Sequence, residues 1–129
     1  MSKKILTMKL LKEKCGICRL DKTEVIPEWA TNSDFFSITK TSDELSIVCY
    51  QENIPNDIKC EKDWRILEVE GPLDFSLIGI LASISTILSQ SGISIFAIST
   101  YDTDYILIKE KDIANAIQSL VKERYDVIE

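Results

Sequence analysis

Between Trp64 and Glu110 the apolar positions change period twice, and each change marks a new element. Ile66, Leu67 and Val69 suit a strand that Gly71 and Pro72 end. Leu77, Leu81, Ile84 and Leu88 then recur at helical spacing, with Asp74 or Ser76 as cap, Gly79 in the first turn and Gly92 as a left-handed stop. From Ile93 to Thr100 the residues turn β-branched and aromatic, Tyr101 to Thr103 form a turn, and Tyr105 to Ile108 return as a second strand. Ile113, Ala116, Ile117, Leu120 and Val121 make a second amphipathic helix behind Asp112, and Tyr125 to Ile128 can close the sheet. The order β-α-β-β-α-β is the ferredoxin-like arrangement, an antiparallel sheet with two helices on one face.

The first half is less regular. Ile5 to Leu11 and Cys15 to Leu20 read as strands around Glu13 and Lys14, Pro27 to Trp29 as a helical turn, and Phe35 to Thr39 and Leu45 to Tyr50 as two more strands. Asn53 to Asp63 is polar, charged and marked by Pro55, which puts a domain boundary there: 1–62 and 63–129. Units of ~60 residues bury only about 60% of their unfolded surface, so two of them are expected to pack together. An exposed edge strand such as Leu45 to Tyr50 offers a route to a homodimer.

Composition narrows the function. A hydrophobic content of 45% is globular, yet no run nears the roughly 20 apolar residues of a membrane span. Lys3 and Lys4 resemble the start of a signal peptide, but Lys9, Lys12 and Lys14 interrupt the apolar run, so a cytoplasmic address is expected and no membrane partner. A net charge of −6 opposes nucleic-acid binding, which needs a basic face. The chain has no histidine, which removes Ser-His and Cys-His catalysis, and it has no P-loop or GxGxxG. Cys15 and Cys18 spell CxxC but fall on a strand, three apart and on opposite faces, with only Cys49 and Cys60 as further thiols. Reduced, buried cysteines are expected, and no metal or cofactor.

The segment GPLDFSLIGILASISTILSQSGISIFAISTYDTDYILI resembles the ACT domain, a small amino-acid-sensing module, and in particular the tandem-ACT branch related to the cytosolic arginine sensors of animals. TKTSDELSIVC at Thr39 to Cys49 is similar to an upstream segment of that branch. The resemblance implies an α+β fold of two ferredoxin-like (ACT, βαββαβ) units in tandem, the N-terminal one irregular. It also implies ligand contacts at Ile80, Thr100, Tyr101 and Asp104, with Ser46 and Ile47 facing them from the first unit. Arginine-sensing relatives carry an acidic residue near the position of Leu77, where this chain has Ser76, Leu77 and Ile78. A buried guanidinium without a partner is costly, so a neutral amino acid is favoured over arginine.

Topology alone points to the same place. A right-handed crossover through the first helix leaves its flanking strands parallel, so the loop entering the helix and the Thr100 to Asp104 turn share one sheet edge. Backbone N–H groups at the helix start, opened by Gly79, suit a carboxylate, and Asp102 and Asp104 suit an ammonium. Each residue has a structural alternative: Asp74 as a helix cap, Gly79 as a packing contact, Asp102 and Asp104 as a solvated turn. The expected function is a non-catalytic amino-acid sensor acting on an unidentified regulated protein. The alternative is a dimer-forming interaction scaffold with a vestigial pocket.

Overall fold

In the computed structural model, residues 6–70 and 79–129 are described. The strands are β1 (Thr7–Leu10), β2 (Cys15–Leu20), β3 (Ser37–Lys40), β4 (Leu45–Tyr50), β5 (Cys60–Val69), β6 (Phe96–Ser99), β7 (Asp104–Lys109) and β8 (Asp126–Ile128). The helices are α1 (Ile80–Gln90) and α2 (Ile113–Lys122), and Glu28–Thr31 forms a 3-10 turn. Gly71, Pro72, Asp74, Ser76 and Leu77, assigned from sequence to a strand end and a helix start, lie outside the described residues.

The chain divides into two units, residues 13–64 and residues 1–12 with 65–129. The expected division placed the first strand with the N-terminal half; β1 instead pairs antiparallel with the end of β5, Leu10 against Leu67, and parallel with β8, Thr7 against Asp126. The sheet of this unit is therefore mixed, and β8 closes it against β1. β7 pairs with β5 and, antiparallel, with β6. Helical spacing puts Ile84 and Leu88 of α1, and Ala116 and Leu120 of α2, on inward faces, and all four are fully buried in one core with Val69 and Ile108. Tyr125 stands in the same core and donates from its hydroxyl to Ser83 Oγ at 3.0 Å, tying the start of β8 to α1.

Both helices stop by the same hydrogen-bonded device. Ile93 N–H reaches Leu88 O and Gly92 N–H reaches Ser89 O, each at 3.0 Å, with Gly92 at φ 73°. Tyr125 N–H to Leu120 O and Arg124 N–H to Val121 O repeat the pattern at 3.0 Å, but an arginine takes the left-handed position at φ 72°.

In the other unit β4 lies between β3 and β2, paired through Ile47 with Ile38 on one side and Cys18 on the other. The expectation that Leu45 to Tyr50 is an exposed edge is corrected: β4 has partners on both flanks, and β3 is the outer strand. β2 also pairs with β5, Cys15 opposite Trp64 and Ile17 opposite Glu61. Two residues of β5 therefore face Gly16 alone, a bulge in which Asp63 takes φ 66°. Gln51 clamps that residue, accepting from its N–H at 2.6 Å and donating to its carboxylate at 3.1 Å.

Candidate ligand site at the end of strand β5

The turn after β6 is built by its own threonines. Thr100 N–H donates to Thr103 O at 2.8 Å, and the Thr100 hydroxyl donates to the same oxygen at 3.1 Å. Thr103 is only 6% exposed, and its hydroxyl donates to Val69 O at 2.6 Å. That bond fastens the turn to the last residue of β5, from which the chain runs on toward α1. A buried hydroxyl without an acceptor would cost about 1–3 kcal/mol, so this contact fixes where the turn sits.

Around this anchor the acidic side chains differ in freedom. Asp104 is half-buried and accepts from Ser99 Oγ at 2.5 Å across the first β6–β7 pair. Asp102 is exposed, as is Tyr101 at 81%. Tyr105 stands beside Glu68, its hydroxyl 3.5 Å from Oε2. Burial, then the charges of Glu68 and Asp102, raises the Tyr105 hydroxyl above the ordinary tyrosine range. Glu68 and Asp102 thus make the Tyr105 side of this end acidic, whereas Asp104, one residue before Tyr105 in β7, belongs to the opposite face of the sheet; in the sequence Glu68 reads only as an outward-facing strand charge.

Gly79 precedes α1 rather than lying in its first turn. It sits at φ 81°, ψ 3°, in the N-cap position, and accepts Ser83 N–H at 2.8 Å. Among the described residues no side chain caps the helix, and no acidic residue lies in its first turn. The N–H groups of a helix start are the kind of donor that suits an anion. Ile80 packs on the core and can offer a ligand only its backbone and the edge of its side chain. Asp74 lies outside the described residues.

Ser46 and Ile47 belong to the unit of residues 13–64. Ile47 is fully buried in that unit's core with Cys18 and Cys49, so its side chain is not free to meet a ligand. Ser46 is half-buried and pairs with Arg19 and Thr39. The same unit has a cleft of ≈ 570 Å³ lined by Glu13, Lys14, Tyr50, Gln51, Glu52 and Lys62 among others. None of the residues expected from sequence to touch ligand lines it. Among the described residues no group of three histidine, cysteine or carboxylate side chains is arranged to hold a metal ion, and no helix is long and apolar enough to cross a membrane.

A family model described as ACT domain matches residues 59–122, the stretch that carries this turn, and an N-terminal-domain model matches residues 13–57. The chain belongs to the ACT-domain family. It is similar to the cytosolic arginine sensor for mTORC1 subunit 1 of Bos taurus, 28% identical over 100 residues that cover 69% of this chain and 30% of the relative. The chain therefore spans less than a third of that sensor's length. A protein of Agrobacterium tumefaciens with a known crystal structure is 36% identical, with a TM-score of 0.91 over 99% of this chain and 94% of that one. The regulatory subunit of aspartate kinase from Thermus thermophilus, at 10% identity and a TM-score of 0.61 over 89% of this chain, shares the fold.

Proposed function

We propose that this ACT-domain chain is a non-catalytic regulatory protein that binds a small amino acid at the end of β5, between the Thr100 to Asp104 turn and the start of α1. The Thr103 hydroxyl on Val69 O at 2.6 Å carries this reading, because it holds an acidic turn against the strand from which the chain leads to a helix whose N-cap is a glycine. The zwitterion would place its ammonium toward Asp104 or Asp102 and its carboxylate toward the first N–H groups of α1. The described first turn of α1 has no carboxylate to pair a guanidinium, which favours a neutral side chain. Residues 13–64 would act as a second, irregular ACT-like unit. The similarity to an arginine sensor supports an output through an unidentified partner protein in the cytoplasm.

A thermal-shift screen of the twenty amino acids tests the proposal. Ligand at 100 times Kd should add about 2.7 kcal/mol to stability. Asp104→Ala should remove the shift while leaving the unliganded melting point nearly unchanged. No response to any amino acid at millimolar concentration would defeat the sensor reading.

A second reading, an interaction module forming homodimers, is favoured by the exposure of Val25, Ile26 and Phe36, at 82%, 53% and 42%, in the unit whose outer strand is β3. Sedimentation as a monomer at micromolar concentration would dispose of it.

A further inference from the structure

Three of the four cysteines meet in the core of residues 13–64, and the meeting is not the CxxC pair. Cys18 on β2 stands directly opposite Cys60 on β5 in an antiparallel ladder. Arg19 N–H bonds to Lys59 O at 3.1 Å, one step beyond that pair, so Cys18 and Cys60 do not exchange backbone bonds with each other. Such non-hydrogen-bonded positions hold their Cα atoms ~4.5 Å apart, with side chains at their closest approach. That lies within the roughly 4.4–6.8 Å window of a disulfide.

Cys49 completes the group from the third strand. It is opposite Gly16, two residues along β2 from Cys18, and it shares the same core with Cys18 and the flanking Cys60. Gly16 makes room for the arrangement, since a Cβ there would come within 2.6 Å of Cys60 Sγ. The Cys18 thiol feels both Cys49 and Cys60, while the Cys60 thiol donates to Glu61 O at 3.5 Å. All three are free thiols; Cys18 and Cys49 are buried, whereas Cys60 is only partly so.

We propose that Cys18 and Cys60 form a reversible thiol-oxidation site, at which a peroxide drives closure of a cross-strand disulfide. Cys60, the thiol within reach of solvent, is oxidised first: its sulfur takes one oxygen from hydrogen peroxide, giving a sulfenic acid and one water. The Cys18 sulfur then attacks the Cys60 sulfur, the S–S bond forms, and the hydroxyl leaves with the Cys18 proton as a second water. Two thiols are oxidised and one peroxide is reduced. Cys49, opposite Gly16 rather than Cys18, is not required for it. The neighbouring Cys49 side chain, followed by burial, holds the Cys18 thiol above the ordinary range, and burial raises Cys60. The reaction should therefore be slow near neutrality and accelerate as the pH rises.

The test exposes the full chain to hydrogen peroxide, blocks residual thiols with iodoacetamide and maps linkages by non-reducing peptide mass spectrometry. A Cys18–Cys60 link that dithiothreitol reverses is expected, formed in the wild type and in the Cys15→Ser and Cys49→Ser variants and lost in Cys60→Ser. Four thiols still alkylatable after peroxide treatment and denaturation, a link through Cys49 as the dominant product, or Cys60 accumulating as sulfinic acid without any link would each overturn the proposal. A parallel run with diamide, which oxidises dithiols without a sulfenic intermediate, keeps pairing geometry separable from peroxide chemistry: a Cys18–Cys60 link with diamide alone would refute the peroxide route.

Discussion

Two side chains carry the sharpest consequences at the residue scale. Thr103→Val keeps the volume and removes the hydroxyl that holds the turn to Val69, which should cost about 1 kcal/mol and weaken any amino-acid response; Thr103→Ser should restore both, as read by urea unfolding and thermal shift. Cys15 yields a pH prediction. Burial, then Cys49 and Glu13, pushes its thiol up to about 12, so the folded chain keeps a proton that the unfolded chain releases near 9. Its contribution is whole below pH 9 and is lost as the pH climbs toward 12, and Cys15→Ala should flatten the fall in unfolding free energy between pH 9 and 11. Thr103 shows why the residue scale was only half legible. Asp102 and Asp104 announce themselves as turn acids, but a threonine between them reads as filler, and its function comes from a carbonyl 34 residues earlier in the chain. Ile47 errs the other way, assigned to the ligand by resemblance and spent on the core.

Elements were read more reliably than their edges, because period survives where end chemistry does not. Ile84 and Leu88, or Ala116 and Leu120, face the core as their spacing demands. The start of α1 shifted to Ile80 because Gly79 adopts a left-handed conformation that ends the helix backward along the chain, a state open to glycine at little cost. β4 reads as an edge in the sequence, yet it is paired on both sides, because alternation along one strand says nothing about how many neighbours it has. The two helix stops provide a matched experiment. Each closes with the same pair of hydrogen bonds around a residue near φ +70°, glycine at 92 and arginine at 124. Gly92→Ala should destabilise by about 1 kcal/mol, although no atom lies within 4 Å of the new Cβ, whereas Arg124→Gly should stabilise by a similar amount. Denaturant midpoints moving in the same direction for both variants would contradict this account.

On the scale of the whole chain, the order of the second half was visible in the sequence, whereas the partner of its first strand was not. β1 is short, and nothing in Thr7–Leu10 signals that it pairs with β5 and β8 rather than with its neighbour in sequence. Among the described residues each unit has a candidate position for a ligand: the acidic turn on Val69 in one, and the mixed-charge cleft lined by Glu13, Lys14, Glu52 and Lys62 in the other. Hydrogen exchange can tell them apart, since a ligand that binds only the folded state slows opening of the elements it touches. With a saturating amino acid, slowed exchange is expected in peptides covering Leu67–Val69, the first turn of α1, and Ser99–Tyr105. Slowing confined to residues 13–20 and 50–62 would move the site to the cleft and leave the acidic turn with a purely structural role. Slowing spread evenly over both units would mean global stabilisation, and the Asp104→Ala variant would then locate the contact: loss of the effect assigns it to the turn, and persistence assigns it elsewhere.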